Sequence, residues 1–170
     1  FIKADETWRE AKILWDETYS NINSKVCPMF SEVDVVVTQG FIASTLQNDT
    51  ITLGREGSDF TASIFAYCLN SDSVTIWKDV PGLFNADPKQ FEDVQLIPHV
   101  SYREAVELAY YGQSIIHPKT IKPLQNKNIP LFIKSFVDPQ LPGSVIDNQS
   151  EDDTNVPSYI LKKSQILVSV

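Results

Sequence analysis

The sequence predicts an α/β protein, a three-layer sandwich built on a mostly parallel sheet. Three observations carry this. Residues 34–38 (D-V-V-V-T), 73–77 (S-V-T-I-W) and 129–134 (I-P-L-F-I-K) are short, nearly continuous apolar runs, the pattern of strands covered on both faces. Between the first two, residues 61–69 have helical periodicity, with Phe60, Ile64, Phe65, Cys68 and Leu69 on one side. Strand, helix and strand in that order make a β-α-β unit, which implies a parallel pair and a right-handed crossover. The three runs are therefore expected to be buried, neighbouring strands, with Trp77 in the core.

The remaining elements follow in chain order. Residues 5–22 predict one helix, because Trp8, Ala11, Trp15, Thr18, Tyr19 and Ile22 recur at spacings of three and four. Pro28 stops it. Phe41 to Ser44 continue as a loop or bend, and Q-N-D-T at 47–50 has turn chemistry. Asn70 suits the C-cap of the helix over 61–69. Lys78 to Pro88 form a long loop with turn dipeptides at Pro81-Gly82 and Asp87-Pro88. Loops of this length are more often functional than filler. A helix over 101–110 opens with a capping box, Ser101 and Glu104, and ends at Gly112. A further helix spans 119–125, with Thr120 as N-cap so that Pro123 falls in the first turn. Pro142-Gly143 is a turn and 144–146 a short edge strand. The polar run 147–153 (D-N-Q-S-E-D-D) opens a linker taken to 158. Residues 165–170 (Q-I-L-V-S-V) form one more strand, the start of a second domain.

Composition narrows the classes. The 170 residues are 42% hydrophobic and 21% charged, enough for one domain with a sizeable core. A formal net charge of −8 leaves no basic excess to displace counterions, so nucleic acid is excluded as a general partner, though a local phosphate site is not. Cys27 and Cys68 show no C-x-x-C spacing and are expected to be reduced, buried thiols of a cytoplasmic protein. His99 and His117 are too few and too scattered for a histidine metal site, and no protein-held metal is predicted. No run approaches the apolar length of a membrane span. F-I-K-A-D-E is no signal peptide, and with no initiator Met the sequence is expected to be a piece of a longer protein.

The chemistry centres on residues 50–60, T-I-T-L-G-R-E-G-S-D-F. Two glycines within four residues allow a tight turn and close approach to a ligand. Ser58 and Asp59 are good N-cap types ahead of a helix whose N-terminus would seat an anion. Arg55 beside it offers a forked donor for a carboxylate or phosphate. No G-x-G-x-x-G follows a strand, so a dinucleotide fold is not indicated.

Three blocks together carry a resemblance. They are V-V-V-T-Q-G-F-I-A-S with T-L-G-R-E-G-S-D-F, then I-W-K-D-V-P-G-L-F-N-A-D-P-K, then S-Y-R-E-A-V-E-L-A-Y-Y-G-Q-S-I-I-H-P-K-T-I. In order and spacing they resemble the aspartate kinases of the amino acid kinase family. The resemblance covers residues 1–146 as the C-terminal part of the kinase domain, with 147–158 as linker and 159–170 as the start of an ACT-like regulatory domain. It implies transfer of the ATP γ-phosphoryl group to the β-carboxylate of L-aspartate, with Mg2+ accompanying the nucleotide and a homo-oligomeric intact protein. It further implies that Arg55 pairs with the α-carboxylate, that Thr52 and Ser58 orient the amino acid, that Phe41 lines the same pocket, and that Asp59 positions catalytic lysines. Lys78 and Asp79 would meet the adenosine, Phe84 would flank the base, Lys89 would approach the phosphates, and Ser114 and Ile115 would add nucleotide contacts. The alternatives are a kinase of another small acid and a nucleotide-binding module without catalysis.

The chain departs from the family pattern in five ways. Glu56 stands where a glycine is common and is expected to point away from the pocket. Lys78 replaces a threonine, Phe84 a tyrosine, and Ser114 a lysine that some members use on the transferring phosphoryl group. The family's K-F-G-G-T motif does not occur in the 170 residues, so the chain alone is expected to be inactive.

Overall fold

The computed structural model describes residues 1–7, 10–111, 115–148 and 157–161. They fall into two compact units. One comprises Phe1–Val74 with Lys119–Pro130, the other Thr75–Pro118 with Leu131–Val170.

The first unit opens on a hairpin, where the sequence predicted the start of a helix. Strands β1 (Ala4–Thr7) and β2 (Glu10–Ile13) pair antiparallel, with Ala4 opposite Ile13 and Asp5 opposite Lys12. Ile2, Ala4 and Ile13 are buried while Asp5 and Lys12 are exposed, a period of two. Helix α1 (Trp15–Lys25) begins only afterwards, and Thr18 and Ile22 are its buried residues. The Thr18 hydroxyl fastens the helix to the strand ahead of it: it accepts the Lys3 N–H at 3.0 Å and donates to the Lys3 carbonyl at 3.1 Å. Pro28 lies in a 3-10 turn, Cys27–Ser31, that follows α1.

The valine run at 34–38 is not a strand. Among the described residues no segment pairs with it, and a strand exists only by its ladder. Val35 and Val37 are 73% and 90% exposed, whereas Val36 packs against the core. The alternation of a strand is present without the hydrogen bonds. Strands β3 (Ile42–Ser44) and β4 (Thr50–Thr52) form a second hairpin where a loop was expected, turning through Asn48 at φ +70°.

Helix α2 (Gly57–Leu69) starts earlier than its apolar residues suggested. Its N-cap is Glu56, in the left-handed region at φ +53°, so Ser58 and Asp59 lie in the first turn rather than capping it. Asn70 is the C-cap, at φ +50°. Helix α4 (Pro118–Lys127) packs along α2: the Ser63 hydroxyl donates to the Thr120 carbonyl at 2.7 Å, and Lys127 Nζ to the Tyr67 carbonyl at 2.7 Å. A lysine at the carbonyl end of α2 also suits that helix's dipole. Because α4 begins at Pro118, Thr120 is not its N-cap, and Pro123 is a buried interior residue that forgoes one helical hydrogen bond. Ile22, Val26, Ala43, Leu53, Phe60, Ile64 and Cys68 belong to the core of this unit.

The second unit is organised on a mixed sheet of four strands in the order β5 (Val74–Lys78), β7 (Leu131–Ser135), β8 (Ser144–Asp147), β6 (His99–Ser101). β8 runs parallel to β6 and antiparallel to β7. β8 is therefore interior and not an edge, and β6 was not foreseen. β5 and β7 are neighbours as expected, but β5 alternates: Val74 and Ile76 are buried while Trp77 is 49% exposed, so it is not a core residue. The capping box at the start of helix α3 (Tyr102–Tyr111) forms, with the Ser101 hydroxyl 2.7 Å and the Ser101 N–H 3.0 Å from Glu104 Oε2. Gly112, the linker at 149–156 and the strand at 165–170 lie outside the described residues. Among the described residues no helix is long and apolar enough to cross a membrane.

Candidate active site

In the first unit the β3–β4 hairpin and the N-terminus of α2 hold the loop 54–57 between them. The Leu53 N–H donates to the Phe41 carbonyl at 2.7 Å, which extends the hairpin by one rung. The Phe41 N–H donates to the Thr61 hydroxyl at 3.0 Å, and that hydroxyl donates to the Gly57 carbonyl at 2.8 Å. Gly54, at φ +74°, opens the turn, which the Gly57 N–H closes on the Gly54 carbonyl at 3.0 Å.

Close packing explains two glycines. A Cβ at Gly57 would stand 2.8 Å from Phe41 Cδ2 and 3.1 Å from Leu53 Cβ, and one at Gly40 would stand 3.0 Å from Ser58 Cα. The structure thus brings Gly40 and Phe41 against Gly57 and Ser58. Phe41 itself adopts φ +75°, a backbone state that a bulky residue holds only under constraint. The Ser58 side chain is exposed, and Asp59 is half-buried in the first helical turn, where the helix dipole favours a carboxylate. Thr52 is exposed on β4, opposite Ile42.

Arg55 extends into solvent, its side chain 75% exposed and its Nε 4.0 Å from Glu56 Oε1. Glu56 turns inward, with 18% of its side chain exposed and Oε2 buried with no hydrogen-bond partner among the described residues. Its left-handed backbone gives the physical reason a glycine suits this position.

Lys119 was not foreseen from the sequence. It follows His117-Pro118 at the start of α4, and its Nζ donates to the Leu53 carbonyl at 2.9 Å while standing 5.5 Å from the Phe60 ring centroid. A cation thus holds the residue immediately before the glycine loop. The only sequence signal was a lysine in the first turn of a helix, where a cation is disfavoured by the dipole.

The second unit carries the other predicted residues. Lys78 ends β5, half-buried, and its carbonyl accepts the Phe136 N–H at 2.9 Å; Asp79 is exposed. Leu83 to Asn85 then pair back on Gln95 to Ile97. Phe84 and Leu96 form an antiparallel bridge, and the Ile97 N–H donates to the Leu83 carbonyl at 2.8 Å. The buried Ser144 hydroxyl ties both sides to β8, accepting the Leu83 N–H at 2.8 Å and donating to the Ile97 carbonyl at 2.6 Å. Beyond this clasp, Asp87 shapes the loop: its Oδ1 accepts the Lys89 N–H at 2.9 Å and its Oδ2 the Gln90 amide at 3.0 Å. Lys89 is exposed, and Phe84 and Ile115 are half-buried. Ser114 lies outside the described residues. The described residues hold no group of three or more His, Cys, Asp or Glu fit for a metal ion.

A sequence model of the amino acid kinase family matches residues 7–135. A bifunctional aspartokinase/homoserine dehydrogenase of Haemophilus influenzae is 43% identical over 120 residues, covering 71% of this chain and 15% of that protein. The lysine-sensitive aspartokinase 3 of Escherichia coli is 37% identical over 136 residues, covering 80% of this chain and 30% of that protein. The crystal structure of E. coli aspartokinase III in complex with aspartate and ADP superposes with a TM-score of 0.84 at 33% identity, over 89% of this chain and 34% of that one. The chain therefore spans about a third or less of the length of these relatives.

Proposed function

The chain belongs to the amino acid kinase family, and we propose that it is part of an aspartate kinase. The reaction is attack of the β-carboxylate of L-aspartate on the γ-phosphorus of ATP. A carboxylate oxygen–phosphorus bond forms, the bond to the β-phosphate oxygen breaks, and 4-phospho-L-aspartate and ADP leave. Such a transfer asks the protein to clamp both substrates and neutralise charge, with no covalent help.

The loop 54–59 takes the amino acid. One observation carries this: Gly57 and Gly40 pack so closely on Phe41 and Ser58 that a helix N-terminus, a hydroxyl and an aromatic ring meet at one place, with the Arg55 guanidinium beside them in solvent. Arg55 pairs bidentately with the α-carboxylate, Thr52 and Ser58 fix its orientation, Phe41 walls the pocket, and Asp59 orients cationic groups at the phosphoryl. Lys78, Asp79, Phe84 and Lys89, with Ser114 and Ile115, take the nucleotide, which brings its own Mg2+. Lys78 and Phe84 lack the hydroxyls their counterparts offer, so the adenosine rests more on apolar and charge contacts here. A homo-oligomeric assembly and a cytoplasmic setting complete the reading, the latter supported by two free thiols.

The test is a hydroxylamine trap for acyl phosphate, run on the full-length protein with ATP and either aspartate or glutamate. Hydroxamate with aspartate alone supports the reading. Nucleotide binding without hydroxamate from any acid contradicts it and leaves a binding module. The 170-residue chain, which contains no K-F-G-G-T, is expected to form none, because a missing phosphoryl-neutralising lysine costs orders of magnitude in rate.

A further inference from the structure

Asn85 divides its hydrogen bonds between two segments. Its backbone N–H donates to the Gln95 carbonyl at 2.9 Å, and its Oδ1 accepts the Gln95 N–H at 2.8 Å. Those two bonds close the loop 86–94. The other two groups face residues 157–161. The Asn85 carbonyl accepts the Tyr159 N–H at 2.6 Å, and Nδ2 donates to the Pro157 carbonyl at 3.3 Å. Asn85 is 7% exposed, so a lost partner would leave a buried polar group unsatisfied.

An aromatic contact and an open pocket lie beside these bonds. The Tyr159 ring is 6.4 Å from that of Phe91, and a cavity of about 300 Å³ is left between Asn85, Phe91, Glu92 and Tyr159. The two hydrogen bonds to Asn85 join 157–161 to the residue that closes the loop. Phe84 immediately precedes Asn85, and Lys89 sits on the loop that Asn85 closes. Only a side chain with both an acceptor and a donor can serve Gln95 and Pro157 at once.

We propose that Asn85 is a positioning residue for the nucleotide. Residues 157–161 fix, through Asn85, the loop that presents Phe84 and Lys89, so that movement of this segment changes nucleotide affinity. The proposal rests on the nucleotide role given above to Phe84 and Lys89.

Steady-state kinetics of the full-length protein, with each substrate varied in turn, test it. Asn85→Asp keeps shape and the bond from Gln95 but sets an oxygen against the Pro157 carbonyl. Tyr159→Ala removes the ring and keeps the N–H donor, and Tyr159→Pro removes both, so the difference between the two reads the donor alone. The expected result is a rise of about fivefold or more in KM for ATP for Asn85→Asp and Tyr159→Pro, with little change for Tyr159→Ala. The KM for aspartate and the kcat should stay within about twofold throughout. An unchanged KM for ATP in both altered variants overturns the proposal, as does a parallel loss in both substrates and kcat, the mark of a merely structural residue. Phe84→Ala and Lys89→Ala separate the two levels. If these raise the KM for ATP while Asn85→Asp does not, the inference alone fails; if neither raises it, the nucleotide reading fails and this proposal with it.

Discussion

Gly57 meets the Phe41 ring with no room for a methyl group, since a Cβ there would stand 2.8 Å from Phe41 Cδ2 and 3.3 Å from Phe41 Cα. The ring could turn away, but Leu53 Cβ at 3.1 Å closes the other side. Gly57→Ala is therefore expected to destabilise the protein by about 1–3 kcal/mol, as overpacking does. It should also weaken aspartate, because Phe41 must move. Urea unfolding and the KM for aspartate read the two effects, and an alanine variant as stable as the parent with unchanged KM would show that the contact is slack.

Lys119 holds the Leu53 carbonyl from below the same loop. Lys119→Met keeps the length and apolar stem but loses the charged hydrogen bond. The expected loss is about 1.5–3 kcal/mol, the range for hydrogen bonds to charged groups. It should appear in the KM for aspartate more than in that for ATP. A shift confined to ATP would place Lys119 in the nucleotide's service instead.

The two free cysteines should behave differently. Burial pushes the Cys68 thiol up to about 11, with Lys127 pulling weakly the other way, while Cys27 is partly exposed and touches Asn23 Oδ1 at 3.5 Å. A thiol reagent at pH 8 is expected to modify Cys27 in the folded protein and to reach Cys68 only on unfolding, because the thiolate is the nucleophile. Linkage gives a second consequence. The folded value lies above the ordinary thiol value of 9.0, so this contribution to stability is complete below pH 9 and is lost as the pH rises through 11. Mass spectrometry after brief labelling, and unfolding measured against pH, check both.

What was legible in the sequence was mostly local. The Asn70 C-cap and the Ser101–Glu104 box depend on neighbouring residues and stand where the sequence put them. The α/β class and the glycine loop were legible for the same reason. The helix expected over 5–22 fails in its first half because Trp8, Ala11 and Trp15 fit a helical stripe as well as Ala4 and Ile13 fit a hairpin, and only pairing decides between them. The valines at 35–37 have strand propensity without a ladder among the described residues, and propensity cannot supply one. β6 is three residues, His99–Ser101, too short to show alternation. Of the proposed site, Arg55, Ser58 and Asp59 stand out in the sequence as a motif. Lys119 was not, because its partner lies 66 positions away and only the folded chain joins them.

The account stands most directly on Arg55. Steady-state kinetics of Arg55→Ala and Arg55→Lys in the full-length protein, with aspartate and ATP varied separately, measure whether the glycine loop serves the amino acid. Loss of the guanidinium should weaken aspartate by about 2 kcal/mol or more with the ATP requirement little changed, since it removes one side of a charge-assisted pair. Lysine should recover little, because a point charge cannot replace a bidentate fork. An Arg55→Ala variant whose KM for ATP rises while that for aspartate stays put would contradict the account, and the loop would then be a phosphate cradle.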